Sequence, residues 1–225
     1  MRRIFQLIDK NVFSNRLSHL FKKKEPQKEL PLIIISREMG SGGRPIAYLV
    51  EKKLGTPWKV FHGEIVDQIA KETRLEKKLI KEVDETNIPF IDEIVSDFFG
   101  RRYLNLNSYY KNLVKVLSTI GNRGYAIIVG RGGEYLFPHA LKVRIICEME
   151  QRILWEMEFE KLTRQQAINR IEKSDRERDD FIQTLFHHDP RKAHHYDLVI
   201  RTGQKLSIED AAETIVFVAK RRFKI

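Results

Sequence analysis

The segment from Leu32 to Val50 limits the possible folds more than any other part of the chain. It joins a short apolar run, a glycine-rich turn and a helical stretch without a break. The run Leu32–Ile35 predicts a buried strand, and Pro45 fits the first position of the helix, where its missing N–H has no partner to lose. The turn consists of Gly40, Ser41, Gly42 and Gly43. Its glycines permit positive φ, so that backbone N–H groups and the positive helix end converge on one point. The segment therefore predicts a phosphate-binding loop.

The turn departs from the Walker pattern G-x-x-x-x-G-K-[ST] in either register. If Gly43 is the last glycine, Arg44 takes the lysine position and Pro45 the hydroxyl position. If Gly42 is the last glycine, Gly43 and Arg44 take those positions, and in both cases the hydroxyl that would hold Mg²⁺ is absent. Arg44 can neutralise phosphate with a planar fork, and it is the candidate for the lysine's role. The alternative is a tight strand-to-helix turn without a ligand.

Charge and composition narrow the class of partner. The 225 residues carry a formal net charge of +10, which favours anionic partners such as nucleotides, nucleic acid or acidic lipid. No zinc-finger or RNP-type motif is present, so specific recognition of nucleic acid is not expected. The single cysteine, Cys147, lies in an apolar run, excludes an internal disulfide and agrees with a cytoplasmic protein. No apolar run has the length of a membrane span.

Residues 1–30 differ from the rest of the chain and predict a basic amphipathic extension. They contain eight Lys or Arg and three Asp or Glu, with apolar residues at helical spacing. Such a helix either lies on an anionic membrane surface or docks on a protein, whether its own domain or a partner. The oligomeric state stays open. Residues 31–225 then form the main domain.

The main domain alternates apolar strands with helices. The predicted strands are Leu32–Ser36, Lys59–Phe61, Ala126–Val129, Val143–Cys147 and Leu198–Arg201. Short apolar runs separated by helices predict an α/β fold with a parallel sheet buried on both faces. Residues 63–124 read as a helical insertion, in which a helix after Ser108 ends at Gly121 or Gly124. Thr163 with Gln166, and Ser207 with Asp210, predict capping boxes.

Charged groups follow the third strand and recur further along the chain. Arg131 lies between Gly130 and Gly132, and ligands of parallel sheets bind beyond the carboxyl ends of the strands. We therefore expect Arg131 on the same edge as the glycine loop, either binding phosphate or exposed to solvent. Asp175 and Arg178 share one helical face and could grip a sugar hydroxyl and a phosphate, although a solvated ion pair is the simpler interpretation.

Four of the seven histidines fall within nine residues, at His187, His188, His194 and His195. Adjacent pairs do not easily converge on one metal and no cysteine assists, so we expect no zinc site there. Near a ligand edge these rings would bind phosphate or stack on a base.

These pieces, in this order, resemble the cytidylate kinase-like family, a branch of the nucleoside-monophosphate kinases. The matching stretches are residues 33–44 (IIISREMGSGGR), 126–132 (AIIVGRG), 175–178 (DRER) and 196–200 (YDLVI). The resemblance covers about residues 31–222. It implies a three-layer P-loop kinase fold with a five-stranded parallel sheet, a helical acceptor-binding insertion and a mobile lid at about residues 162–192.

The resemblance also implies an activity and a site. Gly40, Ser41, Gly42, Gly43 and Arg44 would hold the phosphates of ATP, with Mg²⁺ as the accompanying ion. Arg131 would contact the phosphate of a nucleotide acceptor, and Asp175 and Arg178 would reach that acceptor from the lid. Arg152 matches an arginine of typical cytidylate kinases. Catalysis would rest on Arg44, Arg131 and Arg178, and the reaction would carry a γ-phosphoryl group to CMP or dCMP.

Several positions depart from the family pattern. Ser36 and Gly132 stand where typical cytidylate kinases carry aspartates, and Glu64 stands where an aspartate follows the second strand. Trp155 and Glu156 replace two expected arginines. These changes predict altered specificity, with Glu64 as a substitute acceptor ligand. The alternatives are a kinase for another small acceptor and a non-catalytic nucleotide-binding regulatory module that docks through residues 1–30.

Overall fold

The structure is a computed structural model that describes residues 30–64, 66–67 and 108–225. Within them five strands form one sheet in the order β2-β3-β1-β4-β5. The strands are β1 (Leu32–Arg37), β2 (Lys59–His62), β3 (Ala126–Val129), β4 (Leu141–Cys147) and β5 (Leu198–Thr202). All neighbouring pairs are parallel, which confirms the predicted sheet and the approximate position of each strand.

Helices connect these strands in the described part of the chain. They are α1 (Gly43–Leu54), α2 (Ser108–Arg123), α3 (Gly133–Leu136), α4 (Met149–Glu160), α5 (Arg164–Phe186) and α6 (Ile208–Phe223), with a short 3-10 turn at Ala193–His195. Both predicted capping boxes are present, at the starts of α5 and α6. Helix α2 ends before Gly124, whose φ of 67° closes it.

The start of α1 corrects one prediction. The helix begins at Gly43, so Pro45 occupies its third position and not its first. The reason is that all of the first four N–H groups of a helix lack intrahelical partners, so proline is tolerated throughout this turn. The glycine loop is therefore one residue shorter, because Gly43 already belongs to the helix.

The sheet separates two apolar cores. Alternate residues of β1 point to opposite faces, so Leu32 and Ile34 pack with α2 while Ile33 and Ile35 pack with α1 and α6. All four side chains are fully buried. Burial on both faces explains why the strands read as continuous apolar runs, and it confirms the three-layer arrangement.

Two predicted segments lie outside the described residues. They are the basic extension, residues 1–29, and the greater part of the helical insertion, residues 68–107. Among the described residues, no helix is long and apolar enough to cross a membrane.

Candidate functional site

The glycine loop lies at the carboxyl edge of the sheet, between β1 and α1. Gly40 and Gly42 have φ of 73° and 82°, the left-handed conformation that side chains disfavour. No side chain caps the N-terminus of α1, and its first turn contains no acidic residue. The N–H groups at this end are thus oriented toward the loop without a side-chain acceptor, as an anion site requires.

Buried polar groups hold the loop in shape from below. The Ser41 hydroxyl donates to the Glu38 carbonyl at 2.9 Å, and the Thr202 hydroxyl donates to the Ser41 carbonyl at 2.9 Å. The Glu38 carboxylate accepts from the backbone N–H of Cys147 at 3.0 Å. These bonds tie the loop to β4 and β5, and they assign the Ser41 hydroxyl to the loop's own backbone.

Arg152 braces the loop from α4. Its Nε donates to the Met39 carbonyl at 2.6 Å, and its Nη2 donates to the Asp175 carboxylate on α5. Asp175 also accepts from the Met39 N–H at 2.8 Å and from Arg178 Nη1 at 3.1 Å. Asp175 and Arg178 do share one face of the helix, as predicted, and that face is turned toward the loop. Arg152 and Asp175 thus join α4, the loop and α5.

An open cavity of about 130 Å³ lies between the end of β1, the turn after β3 and α5. Its lining in the described residues combines four carboxylates, those of Glu38, Glu134, Asp175 and Asp179, with five arginines. The arginines are Arg37, Arg131, Arg144, Arg178 and Arg191. Burial lowers the pKa of Arg178, and the opposite charge of Asp175 acts against that shift. The positive charge of the five arginines suits an anionic ligand.

Arg131 lines the cavity from the turn after β3, on the edge where the sequence placed it. Its φ is 64°, a conformation that costs energy in any residue other than glycine. Its Nε donates to Asp67 Oδ1 at 2.8 Å, and Tyr109 donates to the same oxygen at 2.9 Å. Its guanidinium also lies 5.6 Å from the centroid of the Phe181 ring. Asp67 and Tyr109, which the sequence analysis did not single out, therefore fix the direction of Arg131.

Arg44 and Glu64 face each other outside the cavity lining. Arg44 Nη2 donates to Glu64 Oε1 at 2.7 Å, and 52% of the Arg44 side chain is exposed. The hydrogen bond from Arg44 lowers the pKa of Glu64. The structure thus joins two predicted site residues to each other, at the rim between α1 and the end of β2.

Arg37 also lines the cavity, although no role was predicted for it from the sequence. It is the last residue of β1, and its side chain lies along the cavity. Burial and then the positive charges of Arg178 and Arg131 lower the pKa of Arg37 to about 9. The acidic side chain whose charge acts against this shift is that of Glu134. Its sequence signal was its position beside the loop, at the carboxyl end of a buried strand.

The inner wall of the cavity is built from buried polar side chains. Glu134 is 3% exposed, its Oε2 has no hydrogen-bond partner, and burial raises its pKa. Ser36, where the family pattern expects an acid, accepts from Arg144 Nη1 at 2.9 Å. The Tyr196 hydroxyl lies 3.3 Å from Ser36 Oγ and 3.5 Å from Glu134 Oε1. A carboxylate, that of Glu134 on α3, therefore lies near Ser36 although Ser36 itself is not acidic.

The other departures also have a spatial explanation. The ring of Phe186 fills the space that a side chain at Gly132 would enter, so the expected acid has no room there. Glu156 is buried and lies 3.4 Å from Arg170, where it joins α4 to α5. Both positions therefore lie against α5, Gly132 at Phe186 and Glu156 at Arg170.

The histidine cluster packs against Tyr135. The His188 ring stacks on the Tyr135 ring, with centroids 4.6 Å apart and planes 11° from parallel. His194 and His195 lie beside each other, with centroids 4.4 Å apart. Aromatic packing accounts for these contacts.

Mg²⁺ would find few protein ligands in the part of the chain that the structure describes. No three His, Cys, Asp or Glu side chains there come together as a metal site. Pro45 has no hydroxyl, and that of Ser41 donates to backbone oxygens. Mg²⁺ commonly keeps several waters and binds through substrate phosphates, so the residues present fit an ion that arrives with its nucleotide.

A parallel sheet of this order, with a glycine loop after its central strand and an arginine-lined cavity beside it, defines the P-loop kinase fold. The sequence profile of the cytidylate kinase-like family matches residues 32–204, and the chain belongs to that family. This confirms the resemblance and supports a nucleotide kinase-like role.

Solved structures share the fold. An uncharacterized protein from Eubacterium ventriosum is similar with a TM-score of 0.65 and 20% identity, over 86% of this chain and 99% of that one. TT1252 from Thermus thermophilus is similar with a TM-score of 0.50 and 16% identity, over 85% of this chain and 98% of that one. Comparison with curated proteins gave no match.

Proposed function

We propose that the protein transfers the γ-phosphoryl group of ATP to a nucleoside monophosphate, with CMP or dCMP as the acceptor. The observation that carries the proposal is the convergence of three arginines, Arg37, Arg131 and Arg178, on one cavity beside an uncapped glycine loop. Phosphoryl transfer needs charge neutralisation and positioning more than a covalent nucleophile, and this arrangement supplies both.

The donor is held by the loop. The backbone N–H groups of Gly40, Ser41, Gly42 and Gly43, with the N-terminus of α1, bind the phosphates of ATP, and Arg44 adds charge at the rim. Mg²⁺, when bound with ATP, neutralises the charge that develops on the phosphates. The loop needs no rearrangement for this, because hydrogen bonds from β4 and β5 already fix it.

The acceptor is held by the cavity. Arg131 and Arg178 bind its phosphate, and Glu64 contacts the acceptor at the rim in place of the aspartate of the family pattern. Asp175 bonds the Met39 N–H as well as Arg178, so it aligns the acceptor arginine with the donor loop. Movement of α5 would open and close the cavity, which is the lid function proposed for residues 162–192.

One observation favours a second candidate, a nucleotide-binding module without transfer. Pro45 supplies no Mg²⁺ ligand, and the described residues contain no acidic metal group. The departures from the family pattern at Gly132 and Ser36 also favour a further alternative, a kinase that acts on another small acceptor. Turnover separates the module from both kinases, and competition between acceptors separates the kinases from each other.

The test is ATP consumption with Mg²⁺ against a panel of nucleoside monophosphates. We expect turnover with CMP or dCMP, and a loss of kcat/KM of about 100- to 1,000-fold in Arg131→Ala, because a preorganised charge at the acceptor phosphate is removed. Lys53→Met is the matched control. It removes a cation that pairs with Glu213 at 2.8 Å at the far end of α1, and its turnover should equal that of the wild type.

Two results would contradict the proposal. ATP binding without transfer to any acceptor would favour the regulatory module. Turnover that survives Arg131→Ala unchanged would remove Arg131 from the acceptor site.

A further inference from the structure

Gly43 and Arg37 compete for one volume beside the loop. A Cβ at Gly43 would lie 2.7 Å from Arg37 Cβ and 2.8 Å from Arg37 Cγ, closer than real Cβ contacts. The atoms in the way belong to the base of the arginine side chain, so they cannot swing aside as its far end could. Gly43 is the first residue of α1, the position of the Walker lysine when Gly42 is counted as the last glycine. The arginine stem therefore occupies the space where a lysine side chain would start.

The head of Arg37 reaches across to the turn after β3. Its guanidinium lies against Gly130, in space that any side chain at that position would enter. There it lines the same cavity as Arg131 and Arg178. Two glycines, one at the start of α1 and one directly after β3, thus leave space for one side chain, the first for its stem and the second for its head.

Burial and two neighbouring arginines, Arg178 and Arg131, disfavour the charge on Arg37. With a pKa of about 9, the guanidinium stays protonated at neutral pH. Glu134 is the acidic side chain whose charge acts on it, and burial raises the pKa of that carboxyl. Arg37 shares its cavity with four other arginines as well as with four carboxylates, so an anion that joins it would offset the remaining positive charge.

We propose that Arg37 takes the place of the P-loop lysine and binds the phosphoryl group that passes from donor to acceptor. This inference rests on the proposed function for the transfer step and on the geometry alone for the anion site. Arg44, the candidate from the sequence, has its Nη2 bonded to Glu64 at 2.7 Å and is half exposed. Arg37 instead points from the loop into the cavity, with a planar fork that can hold two phosphate oxygens at once.

The test moves the cation from one position to the other. Arg37→Met keeps the stem and removes the charge. The double variant Arg37→Gly/Gly43→Lys restores the usual lysine and removes the stem that blocks it. Binding of ATP·Mg²⁺ and of inorganic tripolyphosphate is measured by calorimetry for the full chain, with Lys53→Met as the control.

We expect Arg37→Met to weaken tripolyphosphate binding by about 10- to 100-fold, because charged hydrogen bonds are lost. The double variant should recover most of that loss, and Gly43→Lys alone should not bind well because both side chains need one volume. Recovery in the double variant is a result that a merely structural arginine would not produce. Matched urea midpoints confirm that the variants compared are folded.

Three outcomes overturn the inference: wild-type affinity in Arg37→Met, no recovery in the double variant, or no binding of tripolyphosphate by the wild type. The proposed function fails separately. Arg37-dependent binding of tripolyphosphate without transfer to any acceptor would leave the anion site in place and remove the kinase.

Discussion

Arg152→Met should destabilise the protein far more than loss of an ordinary surface arginine, because Arg152 connects three elements. Its side chain is 8% exposed and donates to the Met39 carbonyl and to Asp175. Methionine keeps much of the volume but removes every donor. The variant leaves a carboxylate and a loop carbonyl without their partner.

The magnitude follows from burial. Breaking a buried pair by removing one partner costs roughly 3–5 kcal/mol, because the remaining charge is left uncompensated. Asp175 is 28% exposed and keeps its bonds from Met39 and Arg178, so the lower end, about 3 kcal/mol, applies. For a domain of this size the melting temperature should fall by about 6–12 °C.

The assay is urea unfolding followed by circular dichroism, with Arg164→Met as the matched control. Arg164 forms two 2.7 Å hydrogen bonds to Glu150, but its side chain is 53% exposed. Water compensates such a pair, so this variant should unfold near the wild-type midpoint. Equal losses in the two variants would refute the reasoning, since burial would then not decide the cost. Wild-type stability in Arg152→Met would refute the bracing role itself.

Two further predictions concern the cavity wall. Burial raises the pKa of Glu134, so the stability that its protonated form contributes is present below the ordinary pKa of 4.5 and is lost as the pH rises through the folded-state pKa. Glu134→Gln should therefore be more stable than the wild type at neutral pH but not in acid. Urea midpoints of the two proteins that change in parallel across the pH range would contradict this. Gly132→Ala should cost about 2–5 kcal/mol, because its φ of 72° and the Phe186 ring both oppose a Cβ. That loss should shrink in a Phe186→Leu background, as measured by a double-mutant cycle, and an unchanged loss would exclude the steric part.

The strands and helix ends could be predicted because their signals are local. The run Leu32–Ile35 is apolar on both faces, and the capping boxes at Thr163 and Ser207 each span only four residues. The prediction for Pro45 was wrong by two positions, since several positions of a first turn tolerate proline. Arg131 could be placed at the ligand edge because it directly follows a parallel strand.

The remaining site residues depend on contacts between distant segments. Arg131 is aimed by Asp67, 64 residues away, and Asp175 meets Met39 across 136 residues. A pattern of charges on one helix cannot show which loop that helix will cover. Asp175 and Arg178 therefore looked like a solvated pair in the sequence, although both face the loop in the structure.

Periodicity and turn chemistry act over a few residues, so the parallel sheet, the order of its elements and the glycine loop follow from local sequence. The structure adds what no local pattern shows, because the stem of Arg37 lies where a side chain at Gly43 would start. Arg37 and Arg44 are seven residues apart, and both are candidates for the charge beside the loop. The difference between them becomes visible only in the packed structure, where β1 and α1 lie so close that the Arg37 side chain fills the space that a side chain at Gly43 would need.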